Sequence, residues 1–467
     1  MPLSVRKVIA PGLFALAMMT SLTVAARAAV PAIPAVTPVA STGASQPYGS
    51  NDADVADLAR FGYVQQEFFI SGKVGDGIPY TTRLLVRRPA DPKKFSGIVV
   101  AESIRSTASR SMWGVRRYMM RNGHAYVEIG SNLSVNTLVK PSDPVRYAAL
   151  QVPDPKPGSL VFGHVQEIAA QAGLLLRSNL PGGPFQGFKV RHILLAGCSE
   201  QGVFVRLYLR DSHRLYRTAD GHSIFDGYFP ACVADWPPIV SYEDGRPVEN
   251  LVPQPSEAPV ILFATSEPEG FPQAGRLYRR PDSDAAGDKF RLYEIAGMPH
   301  GLGRRMGGDP RARRTVSCSG PQSPSNFPGE FPANNALDKL INWVDHGTPP
   351  PRAARLEIES TSGPLILDQF GNPKGGVRTT AVDVPTAEYP LCHTGKVTNI
   401  DPAGVSFSTA YEVPFTAERL KALYPTPQDY VDKVNHRLDE LVRDGWYLKE
   451  DADEARAQAA EYAKTMP

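Results

Sequence analysis

The sequence has few cysteines, almost no net charge and no internal repeat. Its formal net charge is +2, which gives no indication of nucleic acid or an anionic membrane as a partner. The spacing of its four cysteines matches no zinc-binding pattern, and nothing indicates a cofactor or a metal: Cys198, Cys232, Cys318 and Cys392. With 42% hydrophobic residues in 467, the chain is instead typical of a large globular protein.

Long apolar runs are absent except at the N-terminus. Arg6 and Lys7 precede an apolar stretch that closes on a small-x-small sequence at 26–28. This pattern predicts a signal peptide over residues 1–28, followed by a leader over residues 29–60. We therefore expect an exported protein, periplasmic or secreted, with no stable membrane insertion after signal cleavage. An uncleaved N-terminal anchor is the alternative.

The four cysteines can form up to two disulfides in an oxidising compartment. Three pairings are possible, and the sequence leaves them open. A disulfide from Cys198 to another cysteine would stiffen the turn that follows it. A pair between Cys318 and Cys392 would link the loop after residue 300 to the C-terminal part.

From about residue 63 onward, strand-like and helix-like segments alternate. A turn at 75–77 predicts an antiparallel hairpin near the start. Apolar runs suited to strands buried on both faces follow at 97–103, 124–130, 189–197, 227–233, 259–265 and 290–296. This order predicts an α/β fold, in which helices cover both faces of a mostly parallel twisted sheet. We assign 61–350 to this domain and 351–467 to a C-terminal helical and loop extension packed on it.

One serine lies at a tight corner between a strand and a helix. The stretch HILLAGCSEQG runs from a buried strand through Gly-Cys-Ser, ending at Ser199, into residues with helical spacing. This context is that of a nucleophile elbow, a strained turn that presents a serine hydroxyl at the sheet edge. The usual motif is G-x-S-x-G, whereas Gln201 occupies the second glycine position here and Gly202 follows it. The backbone N–H of Glu200 can donate to a developing oxyanion.

A serine nucleophile needs a base and an orienting acid, which this fold supplies from later strand ends. His300 follows the strand at 290–296 and is the expected base. Two carboxylates follow the preceding strand, and we favour Glu269 over Glu267 because it lies deeper in the loop. Asp235, after an earlier strand, is an outside candidate.

A second oxyanion donor usually comes from the turn after the early strand, here the one at 97–103. That turn begins SIRST, so the backbone amide of Ile104 or of Arg105 is the expected donor. The sequence does not choose between them.

With these residues placed, the chain resembles the α/β-hydrolase superfamily. More closely, it resembles a group of exported bacterial α/β-hydrolase-domain proteins of mostly undefined activity. The similarity lies in the late glycine of GCSEQG, in the turns ATSEPE and GMPH, and in the tail phrases WVDHGTPPP and DQFGNPKGGVR. The elbow is also similar to that of glucuronoyl methylesterases, which usually have an arginine where this chain has Glu200.

The expected activity is hydrolysis of a small-molecule carboxylic ester through a Ser-His-Glu triad and an acyl-enzyme. Two other functions stay open. One is a non-catalytic protein of the same fold that binds a ligand, and the other is an exported acyltransferase that uses an alcohol in place of water.

Overall fold

The computed structural model describes residues 29–43, 45–50, 52–104, 110–153, 163–232, 252–266, 278–302, 323–360, 364–389 and 411–467. Its strands are β1 (Ala35–Val39), β2 (Tyr63–Val74), β3 (Ile78–Pro89), β4 (Ile98–Ser103), β5 (Ala125–Ile129), β6 (His192–Cys198), β7 (Gly227–Ala231), β8 (Val260–Thr265), β9 (Ser283–Ala285), β10 (Asp288–Ile295), β11 (Ser323–Pro324), β12 (Ala387–Glu388) and β13 (Tyr411–Pro414). The expected signal peptide, residues 1–28, lies outside these ranges.

The helices are α1 (Asp52–Phe61), α2 (Arg116–Arg121), α3 (Lys140–Ser142), α4 (Gly163–Arg177), α5 (Glu200–Leu207), α6 (Glu330–His346), α7 (Thr380–Asp383), α8 (Ala417–Leu423), α9 (Pro427–Arg443) and α10 (Lys449–Ala463). Within the described ranges, none of them combines the length and the apolar character needed to cross a bilayer.

A ten-stranded sheet organises the molecule, in the order β1-β2-β3-β5-β4-β6-β7-β8-β10-β9. The six strands in the middle of this order, which begin with β5 and end with β10, pair in parallel. Strands β1, β2 and β3 and the edge strand β9 pair with their neighbours in antiparallel fashion. Helix α4 packs on one face and helices α2 and α6 pack on the other. Each of the six predicted apolar runs overlaps a strand of this sheet, so the predicted fold class is confirmed.

The leader expected at residues 29–60 contains regular structure. Strand β1 pairs antiparallel with β2, from Ala35 opposite Ser71 to Val39 opposite Glu67. It escapes sequence analysis because it is short, mostly exposed and contains Pro38, so it has no apolar period. A proline is tolerated at a sheet edge, where a strand needs hydrogen bonds on one side alone.

The C-terminal extension forms helices, as predicted, and they contact the sheet domain. Helix α9 begins with a capping box, in which Thr426 and Asp429 bond each other's backbone N–H groups. The Trp446 ring lies against Tyr293 of β10, with 5.3 Å between ring centroids. The ring of Tyr447 is buried and lies 5.8 Å from that of Phe331 in α6.

Replacement of Tyr447 tests whether this contact stabilises the whole protein. Tyr447→Ala should lower the free energy of unfolding by about 3–5 kcal/mol, because a buried aromatic side chain is lost. Urea unfolding followed by tryptophan fluorescence measures the change. The matched control is Tyr462→Ala in α10, since Tyr462 is 37% exposed. Equal effects of the two substitutions would contradict the role assigned to the contact.

Candidate active site

Ser199 lies between β6 and α5, in the strand–turn–helix order that the sequence indicates. Its backbone has φ 65° and ψ −125°. Among the described residues other than glycine, it shares a positive φ with Cys232 alone. Such a conformation costs about 1–3 kcal/mol and persists where the surrounding structure fixes it. The side chain sits at the carboxyl edge of the parallel strands and is 9% exposed.

Backbone hydrogen bonds hold the elbow on both sides. The Ser199 amide donates to the carbonyl of Ala231 in β7 at 2.9 Å, and the Ser199 carbonyl accepts from Val203 at 2.9 Å. A Cβ at Gly202 would collide with the same Ala231 carbonyl. The glycine that comes one position late therefore allows α5 to pass close to β7.

A disulfide joins Cys198 to Cys232, directly before the serine. Cys198 ends β6 and Cys232 follows β7, so the bond ties the carboxyl ends of two neighbouring strands together. Both cysteines are buried. This settles one of the pairings that the sequence left open, whereas Cys318 and Cys392 lie outside the described residues.

His300 lies in the turn after β10, at the same edge of the sheet as Ser199. Gly297 and Gly301 lie on either side of it in the chain, with φ values of 77° and 125°, which residues other than glycine rarely adopt. The end of β8 is attached to this turn, because the amide and the hydroxyl of Ser266 both contact the carbonyl of Met298, at 3.2 and 3.3 Å.

The acid candidates Glu267, Glu269 and Asp235 lie outside the described residues. Ser266, the residue before Glu267, nevertheless bonds to Met298 in the turn that carries His300. The structure therefore brings Ser199 and His300 to one sheet edge and does not choose the acid.

The structure shows different surroundings for the backbone N–H groups expected to bind the oxyanion. Glu200 is the first residue of α5, so its N–H lies in the first turn, where the helix dipole is positive. Ile104 does not fit its expected role, because its amide donates to the carbonyl of Ile129 at 2.9 Å. The backbone pairing between β4 and β5 thus continues one residue past β4. Arg105, the other candidate, lies outside the described residues.

Sequence reasoning missed a buried carboxyl group beside the elbow. Glu102 in β4 accepts hydrogen bonds from the Tyr126 hydroxyl at 2.7 Å and from the amides of Ser111 and Met112 at 3.0 and 3.1 Å. Burial raises the pKa of this carboxyl to about 8, against the opposing effect of those hydrogen bonds. A glutamate within the apolar run GIVVAES was the signal that could have found it.

The sequence matches the model of a protein family described as an alpha/beta hydrolase domain, over residues 35–457. The chain belongs to this family. No curated protein matches the sequence of this hydrolase-domain protein.

Several solved hydrolase structures are similar to this hydrolase-domain protein. A thermostable esterase from Pseudomonas putida is 13% identical over 54% of this chain and 82% of its own, with a TM-score of 0.30. A CE15 glucuronoyl esterase from Teredinibacter turnerae is 14% identical over 43% and 44%, with a TM-score of 0.23. Brefeldin A esterase, a bacterial homologue of human hormone-sensitive lipase, is 13% identical over 42% and 52%, also at 0.23.

The chain spans about half the length of the last two proteins. Identities and TM-scores this low do not assign the activity of any of these proteins to this chain. The fold assignment of the hydrolase domain depends on the family match and on its strand order.

Removal of the disulfide should destabilise the hydrolase domain. The double variant Cys198→Ala/Cys232→Ala should lower the free energy of unfolding by about 2–4 kcal/mol, because the bond closes a loop across a sequence separation of 34 residues. Urea unfolding without reductant measures this loss. With reductant in the unfolding buffer, the difference between variant and wild type should largely disappear. A variant as stable as the oxidised wild type would contradict the expectation.

Proposed function

We propose that the protein is a serine hydrolase that cleaves small-molecule carboxylic esters. The observation that carries the proposal is the backbone of Ser199, held at φ 65° where β6 meets α5. Strain of this kind clusters at functional sites. Membership in a hydrolase-domain family supports the same conclusion.

In the proposed reaction, the Ser199 hydroxyl attacks the ester carbonyl carbon while His300 accepts its proton. The resulting oxyanion accepts hydrogen bonds from the backbone N–H groups of Glu200 and Arg105. The tetrahedral intermediate then collapses, and the alcohol leaves with the proton from His300. Water attacks the acyl-enzyme by the same route, releases the acid and restores Ser199.

The proposed acid is Glu269, with Glu267 as the alternative. Its role is to orient the His300 ring and to stabilise the charged imidazole during the reaction. The contact of Ser266 with Met298 supports an acid from this loop, because it places the start of the loop beside the histidine turn.

Export to an oxidising compartment, periplasmic or secreted, is part of the proposal. The disulfide between Cys198 and Cys232 supports it, since structural disulfides persist in such compartments and are rare in the cytosol. The N-terminal sequence supports it independently, through its basic start and its apolar stretch.

Single substitutions of the proposed triad test the reaction. Ser199→Ala and His300→Asn should each lower kcat for p-nitrophenyl acetate by about 10⁴-fold or more, because the nucleophile or its base is lost. Ser178→Ala, at the end of α4, is the control and should keep the wild-type rate. Full activity of Ser199→Ala would contradict the mechanism.

The two candidate acids can be separated in the same assay. Glu269→Gln should lower kcat by about 10⁴-fold, and Glu267→Gln should change it little, because one carboxylate alone can orient the histidine. The reverse result would assign the acid to Glu267. Product analysis with added alcohol tells hydrolysis from acyl transfer, and a wild type without turnover over a broad ester panel would indicate a ligand-binding protein.

A further inference from the structure

Gln201 occupies the position where the usual elbow motif has a glycine, and it is buried. Its side-chain oxygen accepts a hydrogen bond from the Ser111 hydroxyl at 2.9 Å, across 90 residues of sequence. A glycine at this position could not accept that bond. The departure from G-x-S-x-G therefore coincides with a specific contact between the first turn of α5 and a distant segment.

Ser111 is itself attached to the centre of the sheet. Its amide donates to Glu102 Oε1 at 3.0 Å, and the amide of Met112 contacts both carboxyl oxygens, at 3.1 and 3.2 Å. The Tyr126 hydroxyl donates to Glu102 Oε2 at 2.7 Å. Glu102 lies in β4, which pairs with β5 on one side and with the nucleophile strand β6 on the other.

The residues on either side of Ser111 are also held. Arg110 pairs with Glu128 of β5 at 2.5 Å. The Trp113 ring contacts both the Tyr126 ring, 5.1 Å away between centroids, and the Arg87 guanidinium, 4.0 Å from its own centroid. A guanidinium over an aromatic face is an attractive arrangement. The hydroxyl that contacts Gln201 therefore belongs to a segment with little freedom to move.

We propose that the Ser111–Gln201 hydrogen bond, anchored on Glu102, is a positioning contact for the nucleophile. It fixes the first turn of α5, and with it the direction of the Ser199 hydroxyl and of the Glu200 N–H. This inference rests on the proposed function, since it assigns a role in the same reaction. It makes Ser111, Gln201 and Glu102 positioning residues, which do not touch the reacting atoms.

Such a contact affects the chemical step more than substrate binding. A displacement of about 1 Å at a reacting group can cost about 10²-fold in rate, because the attack geometry is lost. A bond that contributed to stability alone would leave kcat unchanged in a folded variant. The two roles are therefore separable by kinetics.

A double-mutant cycle tests the contact. Ser111→Ala and Gln201→Met each remove the hydrogen bond while keeping most of the packing. Each should lower kcat for p-nitrophenyl acetate about tenfold with KM within about twofold, and the double variant should be no slower than the slower single variant. Ser111→Thr, which keeps the hydroxyl, should restore kcat to within about threefold of wild type.

Wild-type kcat in folded Ser111→Ala and Gln201→Met would overturn the inference, and so would effects that multiply in the double variant. Circular dichroism and melting temperature establish that each variant is folded. Should Ser111→Ala not fold, Ser111→Cys keeps the size with a weaker donor, and its kcat should fall as well. Hydrolysis that survives in Ser199→Ala would instead refute the proposed function, so the two failures are distinguishable.

Discussion

The backbone at Ser199 is held in a conformation that residues other than glycine adopt only under constraint, and the candidate site depends on that constraint. Strands β6 and β7 bond to each other up to the serine amide, and α5 begins one residue later. The disulfide before the serine and the close approach of Gly202 to β7 leave the elbow little room to relax. The conformation of the serine is thus fixed by a sheet pair, a helix and a covalent bond.

The parallel sheet explains why His300 lies at the same edge of the sheet as this elbow. Parallel strands place their carboxyl ends at one edge, so the turns after β4, β6, β8 and β10 share that edge although they are far apart in sequence. Glu102 is one of several exceptions to the apolar rule for such strands, together with Glu128 in β5 and Glu294 in β10. A carboxyl group is tolerated in β4 because Tyr126, Ser111 and Met112 all donate to it.

The strands and the elbow could be predicted because local patterns specify them. Apolar runs bounded by turns mark buried strands, and Thr426 followed by a proline marks the start of α9. The pairing of Cys198 with Cys232 and the contact of Ser111 with Gln201 could not, since each joins segments that meet after folding. The bond from the Ile104 amide to Ile129 could not be predicted for a related reason, because the extent of strand pairing is set by the partner strand.

Strand β1 shows the limit of pattern analysis from the other side. Its residues are mostly exposed and alternate in no apolar period, so the sheet edge alone makes them a strand. The hydrogen-bond donors around Glu102 are likewise invisible locally, since they come from the neighbouring strand β5 and from the segment at 111–112. The sequence therefore indicates where the candidate nucleophile lies, and the structure shows which contacts fix its backbone.

The central claim is that the strained serine is the reactive group. Its most direct test is to treat the purified protein with a fluorophosphonate, digest it and locate the covalent adduct by mass spectrometry. The account predicts one stoichiometric adduct on the peptide that contains Ser199, and its loss in Ser199→Ala. An adduct on another residue, or equal labelling of the Ser199→Ala protein, would contradict it.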